Sequence, residues 1–150
     1  MKRDNLKNKI LELIDQYYNI KVPNKDKGIP LSDLNYGPDE IKSALTALLD
    51  GWISQGKNVI EFEKLFSNKV GVKYGIATNS GSSSNLIALN AARDIYGLNV
   101  GDQVIVPAST FATVAMPIIQ LGLIPMYVDI DRRTLNINTD EIKNAINERT

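Results

Sequence analysis

Short apolar runs alternate with longer helical patterns through the second half of the chain, and this alternation restricts the possible folds more than any other feature. The runs KYGIAT, QVIVP and IPMYVDI each predict a strand, and a helical pattern follows each of them. Strands separated by helices of ten or more residues form βαβ units in a parallel sheet. Because the runs are almost continuously apolar, we expect an α/β fold whose sheet is covered on both faces.

The first half of the chain predicts helices. Helical spacing of apolar residues marks residues 4–19, a second pattern starts at Pro38, and a third ends at Gly71. The polar segment KVPNKDKG lies between the first two patterns and predicts a linker. We therefore expect an N-terminal helix with its linker over residues 1–29 and an α/β domain over residues 30–150.

The last helical pattern begins near residue 138. Asn138 is followed three residues later by Glu141, which resembles a capping box. We expect this helix to continue to the last residue of the chain.

The stretch ATNSGSSSNLIAL, residues 77–89, joins the first predicted strand to its helix through one glycine and three serines. Ligands of open parallel sheets bind beyond the carboxyl ends of strands, where the first N–H groups of a helix favour an anion. Gly81 would admit a ligand close to the backbone, and the hydroxyls of Ser82, Ser83 and Ser84 are further donors. The joint therefore predicts a phosphate site. In the structural alternative, Ser82 or Ser83 caps the helix and Gly81 makes the turn.

The spacing of these residues does not indicate which phosphate-containing ligand would bind. GSSSNL is not G-x-G-x-x-G, has no following lysine as in a P-loop, and is not G-x-S-x-G. Phe111 follows the strand QVIVP, at what we expect to be the same edge of the sheet, and a flat side chain there can stack on a heteroaromatic ring. The alternative for Phe111 is a core position in its own helix.

Composition argues against several kinds of site. The 17 basic and 17 acidic residues give a formal net charge of zero, which offers no electrostatic reason to expect nucleic acid or an anionic membrane as a partner. The chain has no cysteine and no histidine, so we expect neither a Ser-His-Asp triad nor a Cys- or His-ligated metal. The charged start MKRDNLKNKILEL lacks a signal-peptide core and no run is long enough to span a membrane, so we expect a cytoplasmic protein.

Four motifs, in order, resemble the DegT/StrS family of pyridoxal-phosphate (PLP) nucleotide-sugar enzymes. They are GWISQGKNVIEFEKLF, GVKYGIATNSGSSSNLIAL, GDQVIVPASTFATV, and PIIQLGLIPMYVDID followed by TLNIN. The resemblance implies the N-terminal part of a fold type I aminotransferase-like large domain with parallel βαβ units. It also implies PLP or pyridoxamine phosphate as cofactor and a nucleotide-linked keto sugar as substrate.

The resemblance assigns roles to seven residues. Three would hold the cofactor phosphate: Gly81, Ser82 and Ser83. Phe111 would stack on the pyridine ring. Three would lie at the mouth of the active site, where the sugar nucleotide enters: Ser54, Gln55 and Gly56. The alternative for these last three is a turn that the fold itself requires.

One branch of the family is more similar than the others. The predicted helix at 4–19 and the segment PIIQLGLIPMYVDID are similar to those of the CDP-4-keto-6-deoxyglucose-3-dehydrase group and its lipopolysaccharide relatives. That group removes a sugar 3-hydroxyl, carries a histidine in place of the Schiff-base lysine, and its dehydrase works with an iron–sulfur reductase. Aminotransferases of the family transfer an amino group to a keto sugar, and the family forms homodimers. Dehydration and amination both stay open, in surface-polysaccharide or deoxysugar biosynthesis.

The catalytic group of the family has no counterpart in this sequence. Neither the Schiff-base lysine nor its histidine replacement falls in a matching motif, so we expect an N-terminal fragment without a catalytic residue. The family's pyridine-binding aspartate also lies further downstream, and we interpret Asp129 and Asp131 as turn residues. Two alternatives stay open: an inactive remnant or interaction protein of the same family, and an unrelated nucleotide-binding α/β module.

Overall fold

The computed structural model describes residues 2–20, 28–29 and 35–150. The chain forms two compact units, one that extends to Val72 and one that begins at Lys73. Most of the predicted linker, residues 21–28, lies outside the described residues. The predicted boundary between residues 29 and 30 stays a prediction.

The first unit contains three helices in its described part: α1 (Lys2–Asn19), α2 (Pro38–Leu49) and α3 (Lys57–Val70). Pro38 occupies the first turn of α2, as predicted, and the Glu40 side chain accepts a hydrogen bond from Gly37 N–H at 2.7 Å. Gly71 ends α3 in the left-handed conformation, with φ 79°, also as predicted. Helix α1 packs on α2, and Lys42 Nζ reaches Asp15 Oδ1 at 2.8 Å.

The second unit contains three helices and two strands: α4 (Gly81–Tyr96), β1 (Gln103–Pro107), α5 (Ala112–Gln120), β2 (Ile124–Val128) and α6 (Thr139–Ala145). Strands β1 and β2 pair in parallel, with Gln103 opposite Ile124 and Pro107 opposite Val128. Helix α5 connects them, so the predicted βαβ unit is confirmed. The core is apolar: Val106, Ala115, Ile118, Leu123 and Val128.

Coverage of the sheet is less complete than the sequence predicts. Successive strand residues point to opposite faces. Val128 is buried, whereas Tyr127 beside it is 56% exposed. Among the described residues, therefore, one face of β2 is covered at this position and the other is open.

The first predicted strand, KYGIAT at residues 73–78, does not join the sheet. The ladder within the described residues consists of β1 and β2 alone. An apolar run becomes a strand only when a neighbour pairs with its backbone, and the exposure of Tyr74 and Ile76, 74% and 77%, shows that this run is not enclosed. The strand prediction for this segment is wrong.

The last helix begins as predicted but does not continue to the end. Asn138 is the N-cap of α6, and its side chain accepts from Asp140 N–H at 3.0 Å. The predicted capping box with Glu141 is not formed, because Asn138 N–H donates to the Asp129 carbonyl instead, at 3.0 Å. The helix ends at Ala145 because the tail turns back onto the start of β1. There Gln103 N–H donates to the Arg149 carbonyl at 2.7 Å, and Asn147 Nδ2 donates to Gln103 Oε1 at 2.7 Å. These bonds replace those that further helical turns would have made.

None of the helices in the described residues combines the length and the hydropathy needed to span a bilayer.

Candidate cofactor site

The N-terminus of α4 is closed by a network of hydroxyl groups. Ser80 is the N-cap: its Oγ accepts from Ser83 N–H at 3.2 Å and donates to Ser83 Oγ at 3.1 Å. Ser84 Oγ turns back to Thr78 Oγ1, at 2.5 Å, and to the Ser80 carbonyl, at 3.2 Å. A serine therefore caps the helix, but it is Ser80, and the prediction of Ser82 or Ser83 as the cap is wrong.

Gly81 and Ser82 lie outside this network. Ser82 is exposed, and its hydroxyl has no hydrogen-bond partner among the described residues. Gly81 is the first residue of α4, is not among the glycines with positive φ, and would carry a Cβ that meets no atom within 4 Å. The structural alternative, in which Gly81 makes the turn, is therefore wrong. The space in front of Gly81 is open to a ligand.

Ser83 combines a structural contact with a free donor. Its Oγ accepts the hydrogen bond from Ser80, which leaves its own hydroxyl proton available.

The sequence has no charged residue between Lys73 and Arg93, or between Asp102 and Asp129. The segment before α4 and the segment before α5, where a ligand is predicted, therefore offer neutral donors. These are N–H groups and hydroxyls rather than cationic side chains.

Phe111 lies on the surface rather than in the core. It is the N-cap of α5, with an extended backbone, and 78% of it is exposed. The core alternative for Phe111 is therefore wrong. Asn85 Nδ2, in the second turn of α4, donates to the Thr113 carbonyl in the first turn of α5 at 3.2 Å. This bond holds the starts of the two helices together, so the Gly81 joint and Phe111 lie at the same end of the helix pair.

The predicted substrate residues lie in the first unit. Ser54 and Gly56 line a cavity of about 570 Å³, together with Trp52, Lys57 and six further residues, whereas Gln55 does not line it. This volume is within the range of about 300–1,000 Å³ that is usual for small-molecule sites. Gly56 is buried, and a Cβ on it would lie 1.8 Å from Trp52 Nε1. Any side chain here would displace the indole, which is 57% exposed, and a role toward substrate stays a prediction.

The two aspartates after β2 are turn residues, as predicted. Asp131 Oδ1 accepts from Thr134 N–H at 2.8 Å and from Arg133 N–H at 2.9 Å. These backbone donors stabilise the carboxylate and lower the pKa of Asp131 below its usual value. Asp129 Oδ1 accepts from Ile130 N–H at 2.8 Å.

Sequence reasoning missed the contacts that hold the site together. Ser80 three residues before Ser83 has the spacing of a cap and its partner, and this signal was present in the sequence. The bond from Asn85 to Thr113 joins residues 28 positions apart, so no local pattern predicts it. Trp52 was part of the recognised motif, but its packing against Gly56 required coordinates.

The comparison with protein families identifies the chain. It matches the model of the DegT/DnrJ/EryC1/StrS aminotransferase family over residues 35–150, so the chain belongs to that family. It is 36% identical to the lipopolysaccharide biosynthesis protein RfbH of Salmonella typhimurium, over all of this chain and 36% of the relative. It is 35% identical to GDP-4-keto-6-deoxy-D-mannose 3-dehydratase of Yersinia pseudotuberculosis, over 81% of this chain and 31% of that protein. The chain spans about a third of the length of these relatives.

Solved structures agree with this fold. The E. coli GDP-4-keto-6-deoxy-D-mannose-3-dehydratase with bound hydrated PLP superposes with a TM-score of 0.75 at 33% identity, over 82% of this chain and 32% of that one. Spr1654 of Streptococcus pneumoniae, assigned as a sugar aminotransferase and solved in its PLP form, gives a TM-score of 0.71 at 30% identity, over 81% of this chain and 30% of that one. The fold is therefore the N-terminal part of a PLP-dependent aminotransferase-like fold.

Proposed function

We propose that the protein is a PLP-dependent enzyme that modifies a nucleotide-linked keto-deoxysugar for surface-polysaccharide or deoxysugar biosynthesis. This chain supplies the phosphate cradle, formed by Gly81, Ser82 and Ser83, and the aromatic platform, Phe111. The observation that carries the proposal is the open space at Gly81. Neither backbone conformation nor packing requires a glycine there. A close approach by a ligand explains it.

The residues present fit a phosphorylated aromatic cofactor. The N–H groups of Gly81 and Ser82 and the hydroxyls of Ser82 and Ser83 are donors for a phosphate. The N–H groups of Ser83 and Ser84 bond to Ser80 instead. Ser84 is occupied by Thr78 and Ser80 and supports the turn instead. The exposed ring of Phe111 provides the flat apolar surface that a pyridine ring needs. When bound, PLP acts as an electron sink for the reaction on the sugar, and this chain holds and orients it.

For the nucleotide sugar we propose the cavity that Ser54 and Gly56 line; Gln55 lies between them in sequence but does not line it. Trp52 gives this cavity an aromatic wall, and Lys57 gives it a cation. Stacking and charge complementarity of this kind suit a nucleoside diphosphate. The predicted homodimer, iron–sulfur reductase partner and cytoplasmic location stay part of this proposal.

Of the two reactions, we favour removal of the 3-hydroxyl over amination. Support comes from the similarity to a GDP-4-keto-6-deoxy-D-mannose 3-dehydratase and to RfbH. Amination is the second candidate, because Spr1654 is assigned as a sugar aminotransferase. The residue at the Schiff-base position of the complete reading frame distinguishes them, with histidine expected for dehydration and lysine for amination. An inactive remnant of the family would catalyse neither reaction.

Phe111→Ala and Ser84→Ala form a matched pair that tests the proposed site. In protein expressed from the complete reading frame, we expect Phe111→Ala to weaken PLP binding by about 0.5–1.5 kcal/mol, the usual contribution of aromatic stacking. Ser84→Ala should change it by less, because its hydroxyl serves the turn. Absorbance titration with PLP measures both. Equal affinities of the wild type and Phe111→Ala would remove Phe111 from the site.

A further inference from the structure

Helix α5 contains a proline whose missing N–H changes the bonding of the residue one turn earlier. In an α-helix the carbonyl of residue i accepts from the N–H of residue i+4. The helical partner of the Thr113 carbonyl would be the N–H of residue 117, but Pro117 has none. The Thr113 carbonyl therefore lacks its usual helical donor and is open to a donor from elsewhere.

Asn85 supplies that donor. Its Nδ2 reaches the Thr113 carbonyl at 3.2 Å, from the neighbouring helix α4. Asn85 is exposed and asparagine is a poor helix former, so neither burial nor helix propensity explains its place in α4. The contact with the carbonyl freed by Pro117 does explain it.

The position of this bond connects the two halves of the proposed site. Asn85 lies one helical turn after Gly81, and Thr113 lies two residues after Phe111. Apolar packing also holds the helices, since Leu89 of α4 and Val114 of α5 pack on the same core cluster. Apolar packing is not directional, however, whereas a hydrogen bond has a preferred length and angle. The bond can therefore fix how far the start of α4 lies from the start of α5.

We propose that Asn85 is a positioning residue that, together with Pro117, sets the separation between the phosphate cradle and the ring of Phe111. The proposal rests on the proposed function, because it assumes that one ligand contacts both. In this role Asn85 makes no contact of its own with the ligand. It acts through Thr113 on the backbone that carries Phe111.

A double-mutant cycle with two probes tests this role in protein expressed from the complete reading frame. Asn85→Leu should raise the Kd for PLP about tenfold, a loss of the size expected when stacking is misaligned, and should reduce the induced circular dichroism of bound PLP. The Kd for inorganic phosphate should stay within about twofold, because the cradle on α4 is intact. In a Phe111→Ala background, Asn85→Leu should cause no further loss of PLP affinity.

Two further variants make the test decisive. Asn90→Leu is the matched control, the same change on the same helix at a residue with no hydrogen bond to α5 among the described residues, and should leave both affinities unchanged. Asn85→Ala removes the same donor without adding a charge near the cradle and favours the helix, so it should reproduce the loss even if Asn85→Leu folds poorly.

The outcomes separate this inference from the proposed function. Additive losses of PLP affinity in the cycle, or equal losses for PLP and inorganic phosphate, would show a general structural role and overturn the inference alone. If the wild type failed to bind PLP, or bound it as Phe111→Ala does, the proposed site and this inference would both be overturned.

Discussion

Gly56 and Gly81 occupy similar places in the sequence and have opposite reasons to be glycine. Each stands at the start of a helix, Gly56 as the N-cap of α3 and Gly81 as the first residue of α4. Each falls in a motif to which the family resemblance assigns a ligand. A Cβ on Gly56 would overlap Trp52, at 1.8 Å from Nε1, whereas a Cβ on Gly81 would meet nothing within 4 Å.

The difference shows what a glycine in a motif means physically. Neither residue has positive φ, so backbone strain explains neither of them. The protein's own packing accounts for Gly56. It does not account for Gly81, where the space is open to a ligand. The Gly81 joint is therefore the stronger candidate for direct ligand contact.

Replacing Gly56 should have the largest effect on stability. We expect Gly56→Ala to lower the free energy of unfolding by about 1–3 kcal/mol, as overpacking usually does, because the methyl group displaces the indole of Trp52. Denaturant unfolding measures the change. In a Trp52→Ala background the same substitution should cost little, and an undiminished cost there would show that the indole is not the cause.

Replacing two serines at the start of α4 should separate an effect on thermal stability from an effect on PLP affinity. Ser80→Ala removes the N-cap and should cost about 1 kcal/mol of stability. Ser82→Ala, two residues away, removes a hydroxyl without a partner among the described residues and should leave the melting temperature unchanged while weakening PLP binding. Thermal melts and PLP titrations of both variants give the comparison. A Ser82→Ala protein that melted early and bound PLP normally would reverse the assignment.

Much of the fold was predictable because local chemistry determines it. Pro38, Gly71 and Asn138 each mark a helix end through their own backbone or side-chain properties, and all three predictions are confirmed. The parallel pair of β1 and β2 followed from two apolar runs separated by a helix. The segment 73–78 and the end of α6 could not be predicted in this way. Strand formation depends on a neighbouring strand, and the end of α6 depends on bonds between the tail and Gln103, more than 40 residues away in sequence.

The candidate site was predictable as a motif but not as an arrangement. GSSSNL and Phe111 were recognised because the surrounding sequence resembles the family's motifs. The spacing of Ser80 and Ser83 fits a cap and its partner, but the sequence did not single out Ser80, because four serines within five residues compete for that role. It also could not show that the Ser84 hydroxyl bonds to Thr78 and to the Ser80 carbonyl whereas Ser82 has no such partner among the described residues.

The most direct test of the account is the effect of Gly81→Ala on PLP affinity and on stability, measured on the same preparation. The account predicts a Kd for PLP that rises about tenfold or more, because a methyl group would occupy the space next to the phosphate. It predicts an unchanged or higher melting temperature, because alanine is the better helix former and meets no atom of the protein. Unchanged PLP affinity in a stable Gly81→Ala protein would contradict the assignment of this joint as the phosphate cradle.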